Sequence, residues 1–249
     1  MPLRRVAEHA LALARAARRL ELGSLVLLLL ASLGLFAFVA IADVVREGAS
    51  AAIDESILLA MRDPTDLSDP VGPRWFEEIG RDFTALGSTA VLGLLVGAAA
   101  TYLVLLGKRR AALFVLAAVA GGQLLSSLFK HGFDRPRPDL VPHGAVVYTA
   151  SFPSGHSMMA AVTYLTLGAL LARMHAPPRL KAFFVAVAAV LTVLVGVSRV
   201  YLGVHYPTDI VAGWAAGAVW AIVCWLVALR FQRRGTVEQG VRRVGEARA

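Results

Sequence analysis

"LGSLVLLLLASLGLFAFVAI", residues 22–41, runs for twenty positions without a charged side chain. That is the length an α-helix needs to cross the hydrocarbon core of a bilayer. Five further apolar stretches follow at about 83–106, 111–129, 157–172, 182–198 and 210–231, separated by polar turns, the fourth and fifth of the six being short. Composition points the same way: of 249 residues 57% are hydrophobic and 17% charged, and the mean hydropathy is +0.66. A soluble domain of this length carries more charge and fewer unbroken apolar runs. The sequence therefore predicts an all-α integral membrane protein, a six-transmembrane helical bundle occupying 22–231, with a basic N-terminus at 1–21 and a basic tail at 232–249.

The net charge of +8 raises the question of a nucleic-acid partner, and the distribution of the basic residues argues against one. Of the 25 lysines and arginines, 17 fall in alternate loops: the N-terminus, Lys108–Arg110, the turn with Arg173, Arg179 and Lys181, and the tail from Arg230 onward. The first long loop, 42–82, has the opposite balance, with ten acidic residues against four arginines. Because cytoplasmic loops are enriched in Lys and Arg, both termini are expected in the cytoplasm. Loops 42–82, 130–156 and 199–209 are then expected on the outward, extracytoplasmic face. Ala40 and Ala42 resemble a signal-peptidase site, but the apolar run before them exceeds a usual signal core, so an uncleaved first span is expected.

Within the first loop, Ile53, Ile57 and Met61 recur four apart in "AAIDESILLAMRDP", which suits a short amphipathic helix at the outer interface. The prolines and aspartates of "DPTDLSDPVGP" read as turns, and Trp75 and Phe76 precede the second span as interfacial aromatics. Gly121, Gly122, Ser126 and Ser127 in the third span are read as close helix packing. The single cysteine, Cys224, lies inside the last span and supports neither a disulfide nor a metal site.

Polar residues on the outward side gather in three stretches: "KHGFDRPRP" at 130–138, "PSGH" at 153–156 and "SRVYLGVHYPTD" at 198–209. Ionisable residues at span ends are costly and mark function. Lys130, Arg137 and Arg199 supply three positive charges, and the arginines can grip phosphate oxygens bidentately. Pro153, Ser154 and Gly155 precede a helix whose first N–H groups are free to hold an anion. His205 and Asp209 are four apart, so the carboxylate can reach the imidazole and fix its tautomer, which leaves His156 as a second imidazole for acid–base work. Two histidines within a cationic cradle suggest phosphoryl transfer through a phosphohistidine. Arg135 is open between a second phosphate contact and a snorkelling role. His131 and His143 read as ordinary loop residues, and Tyr148 and Phe152 as lining a lipid path or anchoring at the interface.

Lys130 with six intervening residues before Arg137-Pro138, then Pro153-Ser154-Gly155-His156, then Ser198-Arg199, His205 and Asp209, resemble in order and spacing the three signature motifs of the type 2 phosphatidic acid phosphatase superfamily. The resemblance implies a membrane lipid phosphatase that needs no metal or other cofactor and takes a lipid phosphate, such as undecaprenyl diphosphate, phosphatidylglycerophosphate or phosphatidate, from the bilayer. It implies His205 as nucleophile, Asp209 as its orienter and His156 as proton donor and later activator of water. Lys130, Arg137, Ser154, Gly155 and Arg199 are implied as phosphate ligands. A lipid phosphotransferase would use the same residues, a vanadium haloperoxidase shares the constellation without six spans, and a non-enzymatic membrane protein would carry the motifs by accident.

Overall fold

In the computed structural model the backbone is described for residues 2–143, 149–174 and 177–246, and side chains within that set from 22 to 230. Among the described residues eight helices follow one another: α1 Pro2–Arg46, α2 Ala51–Leu59, α3 Arg74–Ala85, α4 Thr89–Leu105, α5 Arg109–Gly132, α6 Gly155–Met174, α7 Pro178–Tyr201 and α8 Pro207–Glu246. Among the described residues there is no sheet, only an isolated bridge between Arg62 and Pro70. Five segments among the described residues are long and apolar enough to cross a membrane: Leu22–Arg46, Arg109–Gly132, Gly155–Met174, Pro178–Tyr201 and Pro207–Arg230, with α3 and α4 a sixth if the bent pair counts as one span. Helices satisfy their own backbone groups, which is what the absence of water in a bilayer demands. The protein is an all-α, multi-pass membrane helical bundle.

Two compact units are distinguished. Gly34–Ala221 holds α2 to α7 and the adjoining parts of α1 and α8. Met1–Leu33 with Ile222–Ala249 holds the outer lengths of α1 and α8, and its leucines Leu22, Leu25, Leu28 and Leu29 are exposed, as a lipid-facing surface requires.

The second predicted span, 83–106, is not one helix. α3 ends at Ala85, Ser88 caps α4 by accepting from the Val91 N–H at 3.3 Å, and the two axes differ by 51°. The break coincides with a close approach. A Cβ on Gly87 would lie 2.4 Å from Val195 Cγ1 and 3.4 Å from the His156 ring, so the chain turns where it passes directly between α7 and α6. Hydropathy saw only a continuous apolar run there. α3 itself extends back into the first loop, because its sequence is amphipathic. Gly80 and Phe76 pack on Tyr201 of α7 while Arg81 pairs with Glu77 and Glu78 on the other side.

The short predicted spans, 157–172 and 182–198, correspond to longer helices. α6 starts at Gly155, so His156 occupies its first turn, and α7 continues to Tyr201, so Arg199 sits in a last helical turn instead of a loop. Lys130 likewise belongs to the last turn of α5. α2 lies where the loop helix was expected. Ile53 and Ile57 face outward, but the adjacent edge, Asp54 and Leu58, is fully buried.

α6 is the central element, with Met158, Ala160, Ala161, Val162 and Thr163 all buried. α8 approaches it through Gly213 and Gly217: a Cβ there would stand 2.7 Å from the Ser154 carbonyl oxygen and 2.5 Å from that of Met158. This small-xxx-small contact draws two backbones together, and so sets Asp209, one turn before Gly213, against the start of α6. Gly121 and Gly122 of α5 make the corresponding approach to Trp220 and Val162. Gly213→Ala is expected to destabilise the fold by about 1–3 kcal/mol, since the obstructing atom is backbone and cannot step aside; thermal melting in detergent measures it.

Candidate active site

All three motifs converge within the Gly34–Ala221 unit on one cavity of about 620 Å³, whose walls include Lys130, Arg137, Gly155, His156, Arg199 and His205. His205 stands in the turn between α7 and α8 and is 1% exposed; Asp209, in the first turn of α8, is fully buried. The chain turns there because α7 closes at Gly203, whose φ of 72° is left-handed, and Pro207 suits the first position of the next helix. The Asp209 carboxylate oxygen Oδ2 then lies 3.3 Å from His205 Nδ1 and accepts from the Tyr206 N–H at 3.0 Å.

Hydrogen bonding assigns the tautomer of His205. Arg137 Nη1 lies 3.1 Å from His205 Nε2, and a guanidinium can only donate, so Nε2 is the unprotonated nitrogen. Nδ1 therefore carries the hydrogen and directs it at Asp209 Oδ2 and at Ser151 Oγ, each 3.3 Å away. Burial pushes the His205 pKa down from 6.5 to about 4; Asp209 opposes the shift, while Arg137 and Arg199 add to it. The imidazole is neutral at pH 7, with its Nε2 lone pair turned to the cations of the cavity. Burial also holds Arg137 below its usual pKa, without depriving a guanidinium of its charge at neutral pH.

The cations are pre-positioned by backbone. Lys130 Nζ donates to Thr149 Oγ1 and to the Ala150 carbonyl, both at 2.9 Å. Arg137 donates to the carbonyls of Thr149 at 2.8 Å and Val204 at 2.7 Å. Arg199 is 3% exposed and donates from Nη1 to Thr84 Oγ1 at 2.9 Å, yet its buried Nε has no partner among the described residues. A buried donor left unpaired costs free energy until an acceptor arrives, and the acceptor suited to three converging cations is an oxyanion. Below the cations the cavity continues between α4 and α5 past Leu92, Val96, Leu116 and Val119, an apolar floor of the kind an acyl or prenyl chain occupies.

His156 lines the same cavity. Gly155 lies against Lys130: a Cβ there would be 3.3 Å from Lys130 Cε. Ser154 is fully buried, and its hydroxyl accepts from the Ser157 N–H at 3.4 Å and the Ser157 hydroxyl at 3.0 Å, so in this structure it caps α6. Its own N–H donates to the Asp209 carbonyl at 3.0 Å, which ties the "PSGH" turn to α8.

Several residues differ from expectation. Arg135 neither reaches the cavity nor snorkels: itself partly buried, it bridges the fully buried carboxylates of Asp209 and Asp54. Phe152 is fully buried between Phe133 and Phe38, at ring distances of 4.8 and 6.0 Å, and lines no lipid path, because aromatic packing there closes the bundle. Tyr148 lies outside the described residues. His131 donates to the Ser127 carbonyl and His143 to that of Pro138, both at 2.7 Å, away from the cavity. Ser151, Thr149 and Thr84 were not singled out in the sequence, although Ser151 stands two residues before "PSGH" and donates to Asp209 Oδ2 at 2.5 Å. Among the described residues no group of three or more His, Cys, Asp or Glu side chains is arranged to hold a metal ion.

The motifs, the fold and the comparisons agree. Residues 111–233 match the family model described as the PAP2 superfamily. Phosphatidylglycerophosphatase B of Bacillus subtilis is 34% identical over 193 residues, which covers 75% of this chain and 88% of that protein. A lipid A 1-phosphatase of Rhizobium etli is 29% identical over 188 residues, covering 65% of this chain and 77% of that one. The crystal structure of a transmembrane PAP2-type phosphatidylglycerolphosphate phosphatase from Bacillus subtilis superposes with a TM-score of 0.67 at 30% identity, over 80% of this chain and 95% of that one. With its three motifs gathered around one buried cationic cavity, the chain belongs to the PAP2 superfamily of membrane phosphatases.

Proposed function

We propose that this membrane lipid phosphatase hydrolyses a phosphomonoester or diphosphate headgroup at the extracytoplasmic face, with six spans and both termini in the cytoplasm. The observation that carries the chemistry is the Nε2 of His205, unprotonated and facing three cations in a cavity with an apolar floor. The lipid tail rests between α4 and α5 while the phosphate meets Lys130, Arg137, Arg199 and the backbone at Gly155. Nε2 attacks phosphorus, the bond to the leaving oxygen breaks, and His156 gives that oxygen a proton. His156 then takes a proton from water, whose oxygen bonds to phosphorus as the N–P bond breaks, releasing inorganic phosphate and regenerating neutral His205. The cations stabilise charge on the equatorial oxygens throughout. The positive-inside balance supports the orientation, and two histidines in place of metal ligands support metal-free turnover.

Purified protein in detergent is expected to release phosphate from lipid phosphates in EDTA and to be inhibited by orthovanadate, which takes a five-coordinate geometry at the same cradle. Assayed side by side, phosphatidylglycerophosphate, phosphatidate and undecaprenyl diphosphate give the preference; strict dependence on an added divalent cation would sink the mechanism. Transfer of label to a second lipid without matching free phosphate would identify a phosphotransferase instead.

A further inference from the structure

The first loop contributes a side chain to the catalytic centre that no motif contains. Asp54 on α2 is fully buried, 155 residues from Asp209 in the chain. Its Oδ2 accepts from Arg135 Nη2 at 2.7 Å and from Thr208 Oγ1 at 2.7 Å, and its Oδ1 accepts from the Thr208 N–H at 3.0 Å. Arg135 Nη1 in turn donates to Asp209 Oδ1 at 2.6 Å and to Thr208 Oγ1 at 2.8 Å. The guanidinium also lies 4.5 Å from the Tyr206 ring centroid. One carboxylate thus holds both the arginine that grips Asp209 and the N-terminal turn of α8 on which Asp209 is mounted.

We propose that Asp54 is a positioning residue for the phosphatase reaction, acting on His205 through Arg135 and Asp209. The inference rests on the reading of His205 as nucleophile. Its geometric part is the fork: each Arg135 Nη nitrogen serves one carboxylate, so the guanidinium plane and Asp209 Oδ1 are fixed together, leaving Oδ2 for Ser151, the Tyr206 N–H and His205. Its electrostatic part is a balance of charge. As Nε2 bonds to phosphorus, positive charge develops on the imidazole and must be met at Nδ1. Arg135 alone would neutralise Asp209. With Asp54 sharing the guanidinium, the buried trio retains one negative charge, and that charge faces His205. Interactions in a water-excluded site are strong enough for this to matter.

The test measures kcat, KM and single-turnover formation of labelled phosphoenzyme for purified variants whose folding is checked by melting in detergent. Asp54→Asn keeps the shape and one acceptor oxygen but removes the charge. It is expected to lower kcat by about 10- to 100-fold, the range typical when an outer-shell partner of a functional histidine is lost, to slow phosphoenzyme formation equally, and to leave KM within about twofold. Asp54→Asn combined with Arg135→Gln restores the single negative charge on Asp209 and is expected to be faster than Asp54→Asn alone, a recovery no purely structural role provides. Arg135→Lys reaches only one carboxylate and is expected to lose about tenfold in kcat. A folded Asp54→Asn with near wild-type kcat, or a double variant no faster than Asp54→Asn, overturns the proposal. Should Asp54→Asn not fold, wild-type kcat in Arg135→Lys overturns it as well. His205→Asn, run alongside, separates the two readings. If it is inactive while Asp54→Asn is unimpaired, only the present inference fails; if it retains turnover, the nucleophile itself is misassigned.

Discussion

His205→Asn is expected to reduce phosphate release by at least about 10⁴-fold, the scale of loss when a covalent nucleophile is removed. KM is expected to change little, because Lys130, Arg137 and Arg199 are anchored by backbone carbonyls and by the hydroxyls of Thr149 and Thr84, not by His205 alone. No labelled phosphoenzyme should be trapped from a radiolabelled lipid phosphate. Residual turnover near that of the wild type would remove His205 from the nucleophile's role. The same variant reports the buried imidazole's titration. The folded pKa of about 4 lies below the unfolded value of 6.5, so between those values the unfolded chain binds the proton more readily. Stability tied to neutral His205 is therefore present above pH 6.5 and lost as pH falls towards 4. The melting temperature in detergent should fall more for the wild type than for His205→Asn across that window, and equal falls would mean that the imidazole is not held neutral by burial.

What was legible in the sequence follows from the range over which each signal acts. Bilayer-length apolar runs report a helix from its own composition, so α5 to α8 stand close to where hydropathy put them. The pairing of His205 with Asp209 follows from local geometry, since four residues bring side chains together across the first turn of α8. The break at Gly87 is harder to read, because Ser88 and Thr89 give only a weak local sign within a mostly apolar run, and the neighbours that Gly87 must clear, Val195 and His156, lie far off in sequence. Arg135 is the clearest failure of local reasoning. Its neighbours resemble those of a snorkelling arginine, while its partners lie 81 and 74 residues away on α2 and α8. Asp54 is one of two adjacent carboxylates on α2, and nothing in the local sequence sets it apart from the exposed Glu55. Ile53 and Ile57 mark the exposed edge, and the partners that hold the buried Asp54, Arg135 and Thr208, are 81 and 154 residues away.

His156→Gln separates the two halves of the reaction. In the proposed sequence His156 protonates the leaving oxygen in the first half and deprotonates water in the second. The demands differ with the substrate. A phosphomonoester expels an alkoxide, which needs the proton at once, so both halves suffer and turnover is expected to drop by about 10²- to 10⁴-fold. A diphosphate expels a lipid phosphate, a far weaker base, so attack by His205 proceeds nearly unaided while hydrolysis of the phosphohistidine still lacks its base. Labelled phosphoenzyme should then accumulate in His156→Gln fed a diphosphate lipid, where the wild type shows only a trace. The bond formed is a phosphoramidate, stable to alkali and labile to acid, which distinguishes it from a phosphoserine on Ser151 or Ser154. His156 is suited to such a role because it lines the same cavity as His205, on a first helical turn locked by the Ser154 cap and by the contact of Gly213 with the Ser154 carbonyl. Equal loss with both substrates and no trapped phosphoenzyme would mean that His156 serves to bind phosphate, and that water is activated by another group.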